Sequence, residues 1–186
     1  MPVVFKPWIG EQYCSQNPKL LILGESHYLK EHEVNADFTI NVIREFGLRE
    51  NNKKLRFFTT ITKILSGQPY ELLSDEKSKE FWNNVAFYNF IQSSVGTEAR
   101  IRPTKEMWQN SLDAFESVMN ELKPDIIVIL GKELGYKING FESHHNQSIF
   151  CYWTHPSTPK YFKKQEAIGS FNDAMNIWIN KNHLSI

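Results

Sequence analysis

Four short apolar runs stand out along an otherwise mixed chain: Leu20–Gly24 and residues 85–91, 126–131 and 148–154. Each is bounded by polar or turn-forming residues and is too short for a helix. Such runs read as strands buried on both faces of a parallel sheet. Between them apolar positions recur at helical spacing. Residues 35–46 carry Phe38, Val42 and Phe46, and residues 55–65 carry Phe57, Phe58, Ile61, Ile64 and Leu65. Residues 104–122 place Trp108, Leu112, Phe115, Val118, Met119 and Leu122 on one stripe, with Thr104 as a candidate cap and Pro124 beyond the end. Residues 164–179 repeat the pattern with Ile168, Phe171, Met175 and Trp178. Strands alternating with helices predict an α/β protein: a three-layer α/β/α sandwich on a mostly parallel sheet of about four strands. The stretches 67–69 and 96–103 read as loops, and no linker divides the chain, so residues 1–186 form a single domain.

Composition narrows the picture. A chain of 186 residues fits one domain with a real core, and 13 % aromatic residues supply ample burial and stacking surface. Formal net charge is zero, so charge alone carries no nucleic-acid signal. It is unevenly spread, however. Arg44, Arg49, Lys53, Lys54, Arg56 and Lys63 face only Glu45 and Glu50 across residues 44–63, a local excess of about +4. Lys160, Lys163 and Lys164 follow the last strand. These lysines and arginines either flank a phosphate backbone or coat solvated helix faces. Two lone cysteines, Cys14 and Cys151, cannot hold an iron–sulfur cluster or a four-cysteine zinc site, and suggest buried or inert thiols in a reducing compartment. No apolar run reaches membrane-spanning length, and the first ten residues lack the pattern of a signal peptide. The expectation is a soluble cytoplasmic protein.

Candidate chemistry sits where strands end. The first run opens into Gly24-Glu25-Ser26-His27-Tyr28, and the last into Thr154-His155-Pro156-Ser157. In open α/β sheets, ligands bind beyond the carboxyl ends of the strands. If both strands share a sheet, two distant parts of the chain build one polar pocket. A serine-hydrolase elbow at Ser26 is weak, because no Gly-x-Ser-x-Gly surrounds it. The His144-His145 pair lacks a metal-ligand spacing and reads as a loop.

These motifs, taken in order, resemble those of the uracil-DNA glycosylase superfamily. Gly24-Glu25-Ser26-His27-Tyr28 is similar to its first motif, and Phe87-Tyr88-Asn89-Phe90 to the strand that ends in a base-recognising Asn. The segment Lys123-Pro124-Asp125 with the following apolar run and Gly131 is similar to its third strand. Thr154-His155-Pro156-Ser157 resembles its His-Pro-Ser loop. The resemblance covers residues 19–180 and implies hydrolysis of an N-glycosidic bond to uracil, or to another damaged or modified base flipped out of DNA, without metal or cofactor. It implies Glu25 as the carboxylate beside the sugar and His155 as the donor to the leaving base. Asn89 would read the base edge, with Gly24 and Ser26 lining the pocket. Tyr28 either walls the pocket or packs in the core, and Phe38 is either the stacking ring or helix packing. His27 contacts phosphate or water, or caps the loop. Ser157 holds a phosphate or fixes its loop. Thr158-Pro159-Lys160-Tyr161 falls where family members insert a wedge into the duplex. The expected partner is DNA, single- or double-stranded, bound by a monomer with no membrane role.

The chain also departs from that pattern. Ser26 stands where many members have Asp or Asn, and His27 where most have Pro. Glu after the motif glycine resembles a thermophile-type branch, but the four cluster cysteines of that branch are missing. A different class of reading therefore stays open: a nucleic-acid or nucleotide-binding module that kept the pocket and lost the chemistry. A small-molecule hydrolase acting on a nucleoside or ester is the third.

Overall fold

A computed structural model describes residues 2–67, 73–98 and 101–183. Its centre is a five-stranded sheet: β1 (Trp8–Ile9), β2 (Leu20–Gly24), β3 (Ala86–Asn89), β4 (Ile126–Leu130) and β5 (Ile149–Trp153). The spatial order is β1-β3-β2-β4-β5. All pairings are parallel except β1 with β3, where Trp8 lies opposite Phe87 and Ile9 opposite Ala86. The sheet thus has five strands rather than about four. The extra strand, two residues long, is too short to show periodicity. It is fixed instead by the Trp8 indole, whose Nε1 donates to the Trp82 carbonyl at 2.8 Å. β2 matches its apolar run unchanged, and β3, β4 and β5 match theirs after trimming by one or two residues at their ends.

Helices cover both faces. On one lie α1 (Phe38–Val42), which continues as a π-helical turn over Ile43–Gly47, then α2 (Arg56–Leu65), α3 (Asp75–Asn84) and the long α8 (Lys164–His183). Their apolar residues pack on Ile22, Phe87, Val128 and Cys151 of the strands. On the other lie α4 (Lys105–Asn110), α5 (Leu112–Leu122), α6 (Lys132–Ile138) and α7 (Phe141–His144), packed on Leu21, Leu23, Tyr88, Ile127 and Ile129. Adjacent strand residues feed opposite cores, the period-two alternation of a sheet covered on both sides. This is the three-layer sandwich.

Three helical expectations change. Residues 104–122 form two helices, because the Ser111 hydroxyl breaks the run, as described below. The Thr104 cap is present, its hydroxyl accepting from the Met107 amide at 3.2 Å. α3 escaped the periodicity reading because only Ser78, Phe81 and Trp82 face inward on an otherwise charged segment. The His144-His145 pair closes a short helix instead of lying in a loop, and His145 Nε2 meets Glu116 at 2.9 Å. Of the thiols, Cys151 is buried, whereas Cys14 is exposed. Gln68 and Pro69 of the first predicted loop, and residues 99 and 100 of the second, lie outside the described residues. Among the described residues, no helix is long and apolar enough to cross a membrane.

The topology locates a crevice. From β2 the chain steps one way to β3, then returns across β2 to reach β4 and continues to β5. Crossovers in opposite directions carry their helices to opposite faces, as one constant handedness requires. The gap between them opens at the carboxyl ends of β2 and β4, the switch point where ligands bind in open α/β sheets.

Candidate functional site

Each sequence-predicted strand-end residue reaches this edge. Gly24 and Asn89 are register partners at the ends of β2 and β3, and Leu130 pairs with Trp153 at the ends of β4 and β5. Glu25 therefore follows β2, and His155 follows β5 by two residues. Gly24 is required by close approach: a Cβ there would sit 2.0 Å from Asn89 Oδ1. Any other residue would push the Asn89 amide out of place.

Glu25 is held by a residue that the sequence reading did not single out. Arg102, in the loop between β3 and α4, donates to Glu25 Oε2 at 3.1 Å and also contacts the Glu133 carboxylate at the start of α6. The Glu25 side chain is only 11 % exposed. Burial raises its pKa above the usual carboxylate value; Arg102 pulls it down, and Glu133 pushes it up. The signal for Arg102 was positional. The connection after β3 leaves the same sheet edge, which brings its basic residues to that end of the sheet without saying which of them reaches Glu25.

His155 is held from two sides. Its ring stacks on Phe57 of α2, with centroids 5.3 Å apart and planes 22° off parallel. Its Nδ1 accepts the Ser157 amide at 3.2 Å. That bond leaves the proton of the neutral ring on Nε2, as a donor. Burial, with the Arg102 charge adding to it, lowers the His155 pKa and keeps the ring neutral. Thr158 closes the turn, its hydroxyl donating to the His155 carbonyl at 2.6 Å. Ser157 itself is exposed, so its contribution to the loop is its backbone amide. Tyr161 is also exposed, with the Lys160 ammonium 5.4 Å from its ring centroid.

His27 is the departure from expectation. It neither caps the loop nor faces solvent. Its imidazole is 5 % exposed and fills the space between β3 and α1. Nε2 lies 2.8 Å from Thr39 Oγ1, and Asn89 Nδ2 lies 3.0 Å from Nδ1 and 3.2 Å from Nε2. With Nε2–H donating to Thr39, Nδ1 is the acceptor for Asn89, at the shorter of the two approaches. Phe5 and Phe38 meet the ring edge-on, with centroids at 5.0 and 4.9 Å. Phe38 is thus a wall around His27, set by α1. Burial lowers the His27 pKa to about 4.

Asn89 is committed to the same cluster. At 6 % exposure, its amide donates to His27 and to the Ser26 carbonyl at 3.2 Å. Gln92, also missed by the sequence reading, supports it from below. Gln92 Nε2 donates to the Asn89 carbonyl at 2.8 Å, and its Oε1 accepts the amides of Val4 and Phe5 at 2.9 Å. Tyr28, by contrast, is 42 % exposed and packs in no core; its phenol lies close enough to influence Arg102.

The basic excess of residues 44–63 is partly answered within the fold, by one carboxylate from outside the segment, Asp75. Arg49 is buried and donates to Asp75 at 2.6 Å; Lys54 reaches the same carboxylate at 3.2 Å, and Lys53 pairs with Glu45. Chemically, the edge offers a largely buried carboxylate, a neutral imidazole with its donor nitrogen free of the loop, and an amide behind a planar ring. No protein-family model matches the chain, and no curated protein is similar enough to count as a relative.

Proposed function

We propose that the protein is a monofunctional DNA N-glycosylase, hydrolysing the bond between deoxyribose and an extruded base, with uracil as the default substrate. What supports this reading is that Glu25, Asn89 and His155 end or follow three strands of one sheet at the same carboxyl edge. A base inside duplex DNA is out of reach and must leave the stack for such a pocket. As the C1′–N bond breaks, its electron pair leaves with the base and the sugar becomes cationic. The Glu25 carboxylate stabilises that cation, orients the water that adds to C1′ and accepts the proton that water loses, which neutralises the departed base anion through solvent. The His155 Nε2–H donates to the carbonyl oxygen on which negative charge develops, and a neutral imidazole is suited to that role. Arg102 is a positioning residue, fixing Glu25 and favouring its ionised form.

The test is base release from oligonucleotides carrying uracil, hypoxanthine or xanthine, single- and double-stranded, read as abasic sites. Glu25→Gln and His155→Ala should each cut release at least ~100-fold. The active form of Glu25 is the carboxylate, so rate falls as pH drops through its raised pKa. Arg102→Gln removes a lowering influence and moves that acid limb to higher pH, while Glu133→Gln removes a raising one and moves it lower. Release that survives Glu25→Gln overturns the assignment.

A second reading, a binding module without chemistry, is favoured by one observation: the groups expected to grip the base are engaged with His27. Tight oligonucleotide binding with no abasic product would select it.

A further inference from the structure

His27 is a buried ring with a set of contacts that its own loop does not require. It is a flat nitrogen heterocycle, walled edge-on by Phe5 and Phe38, with an acceptor nitrogen against Asn89 and a donor nitrogen against Thr39. Those contacts are the ones a nucleobase makes with a protein: aromatic walls, one amide, one hydroxyl. A pyrimidine carbonyl would give Asn89 Nδ2 the acceptor that His27 Nδ1 now supplies. The loop that carries His27 is short and pinned on both sides, at Gly24 by β2 and at Leu29 by a bridge to Gly96. Glu25 is tied as well, its carbonyl accepting the Ile91 amide at 2.9 Å, so only Ser26, His27 and Tyr28 lie between the pins, and Tyr28 already faces solvent.

We propose that His27 is a displaceable plug, an internal surrogate ligand that occupies a slot for a planar heterocycle until a nucleobase takes its place. The slot is bounded by Asn89, Phe38, Phe5 and Thr39. Only the identity of the entering ring rests on the glycosylase reading; the slot and its occupant do not. The plug makes selection competitive. A base enters only if its contacts to Asn89 and the two phenylalanine walls exceed those of the imidazole. An undamaged base that fits less well leaves His27 in place, so the loop adds discrimination without contacting the substrate itself.

The experiment removes the ring and offers it back. His27→Gly deletes the imidazole, and free imidazole is added as the probe, with uracil as a second probe. The expected result is a rise in melting temperature of about 3 °C at ~10 mM imidazole, with wild type unmoved. If His27→Gly is unfolded alone, imidazole should restore a cooperative melt. A melt that neither imidazole nor uracil alters overturns the proposal, folded or not. In wild type, the His27 ring proton resonances, displaced by the ring currents of Phe5 and Phe38, should move when a uracil-bearing oligonucleotide saturates the protein. Unmoved resonances in a saturated complex also overturn it. The two readings separate cleanly. Imidazole rescue without base release ends the glycosylase reading and keeps the slot; base release without rescue does the reverse.

Discussion

At the scale of single residues, the strand-end polar groups were legible and their neighbours were not. Glu25 and His155 stand out because each follows an apolar run and parallel strands end at one edge, whereas Asn89 lies inside the run 85–91 and is named through the resemblance alone. Arg102 and Gln92 lie in loops, where sequence carries no register to say what they face. His27 was misjudged for a related reason. Its burial depends on Phe5 and Phe38, which reach it from 22 and 11 residues away and on either side. That burial has a measurable consequence. The folded pKa is about 4 against an ordinary 6.5, so the unfolded chain binds the proton more readily. Stability is intact above the unfolded value and is lost as pH falls from there toward the folded one. The His27 contribution to that loss is about 3 kcal/mol. Urea unfolding near neutral pH and near pH 4 should show wild type losing that much more than His27→Asn; parallel losses would mean the ring is not buried.

At the scale of elements, the break between α4 and α5 shows how a helix end serves the site. Propensity and periodicity favour one continuous helix over residues 104–122. Ser111, buried at the junction, instead donates its hydroxyl to the Met107 carbonyl at 2.8 Å and accepts the Gln92 amide at 3.0 Å. The second bond fixes the segment that supports Asn89 and the Phe5 wall. Ser111→Ala should leave the buried Gln92 amide without a partner, at a cost of about 1–3 kcal/mol. A shift of the urea midpoint without a change in slope would confirm a local defect. A neutral substitution would show that the junction is held by packing alone. The break was illegible because a serine in a helix satisfies itself locally in sequence terms. Only the approach of β3 gave its hydroxyl a second partner.

At the scale of the whole molecule, charge and topology decide how a nucleic acid could be met. Net charge is zero, and several basic side chains already hold carboxylates: Arg49 and Lys54 on Asp75, Lys53 on Glu45, Lys6 on Asp37, Lys163 on Glu166. A phosphate bound at any of these five side chains would have to displace a carboxylate. Oligonucleotide affinity should therefore fall with log salt at a slope of about −2, and a slope near −6 would reveal a phosphate track that the ion pairs conceal. Anisotropy titrations over a range of salt read this directly. The amino-acid pattern alone determined the layered α/β architecture, four of the five strands and the ends from which Glu25, Asn89 and His155 project. It could do so because burial on both faces of a sheet writes itself into local hydrophobic runs. Tertiary structure decided what those projections meet: Arg102 on Glu25, Phe57 on His155, and an imidazole wedged against Asn89. Such contacts join segments far apart in the chain, and no local periodicity encodes which side chain fills the space between two elements.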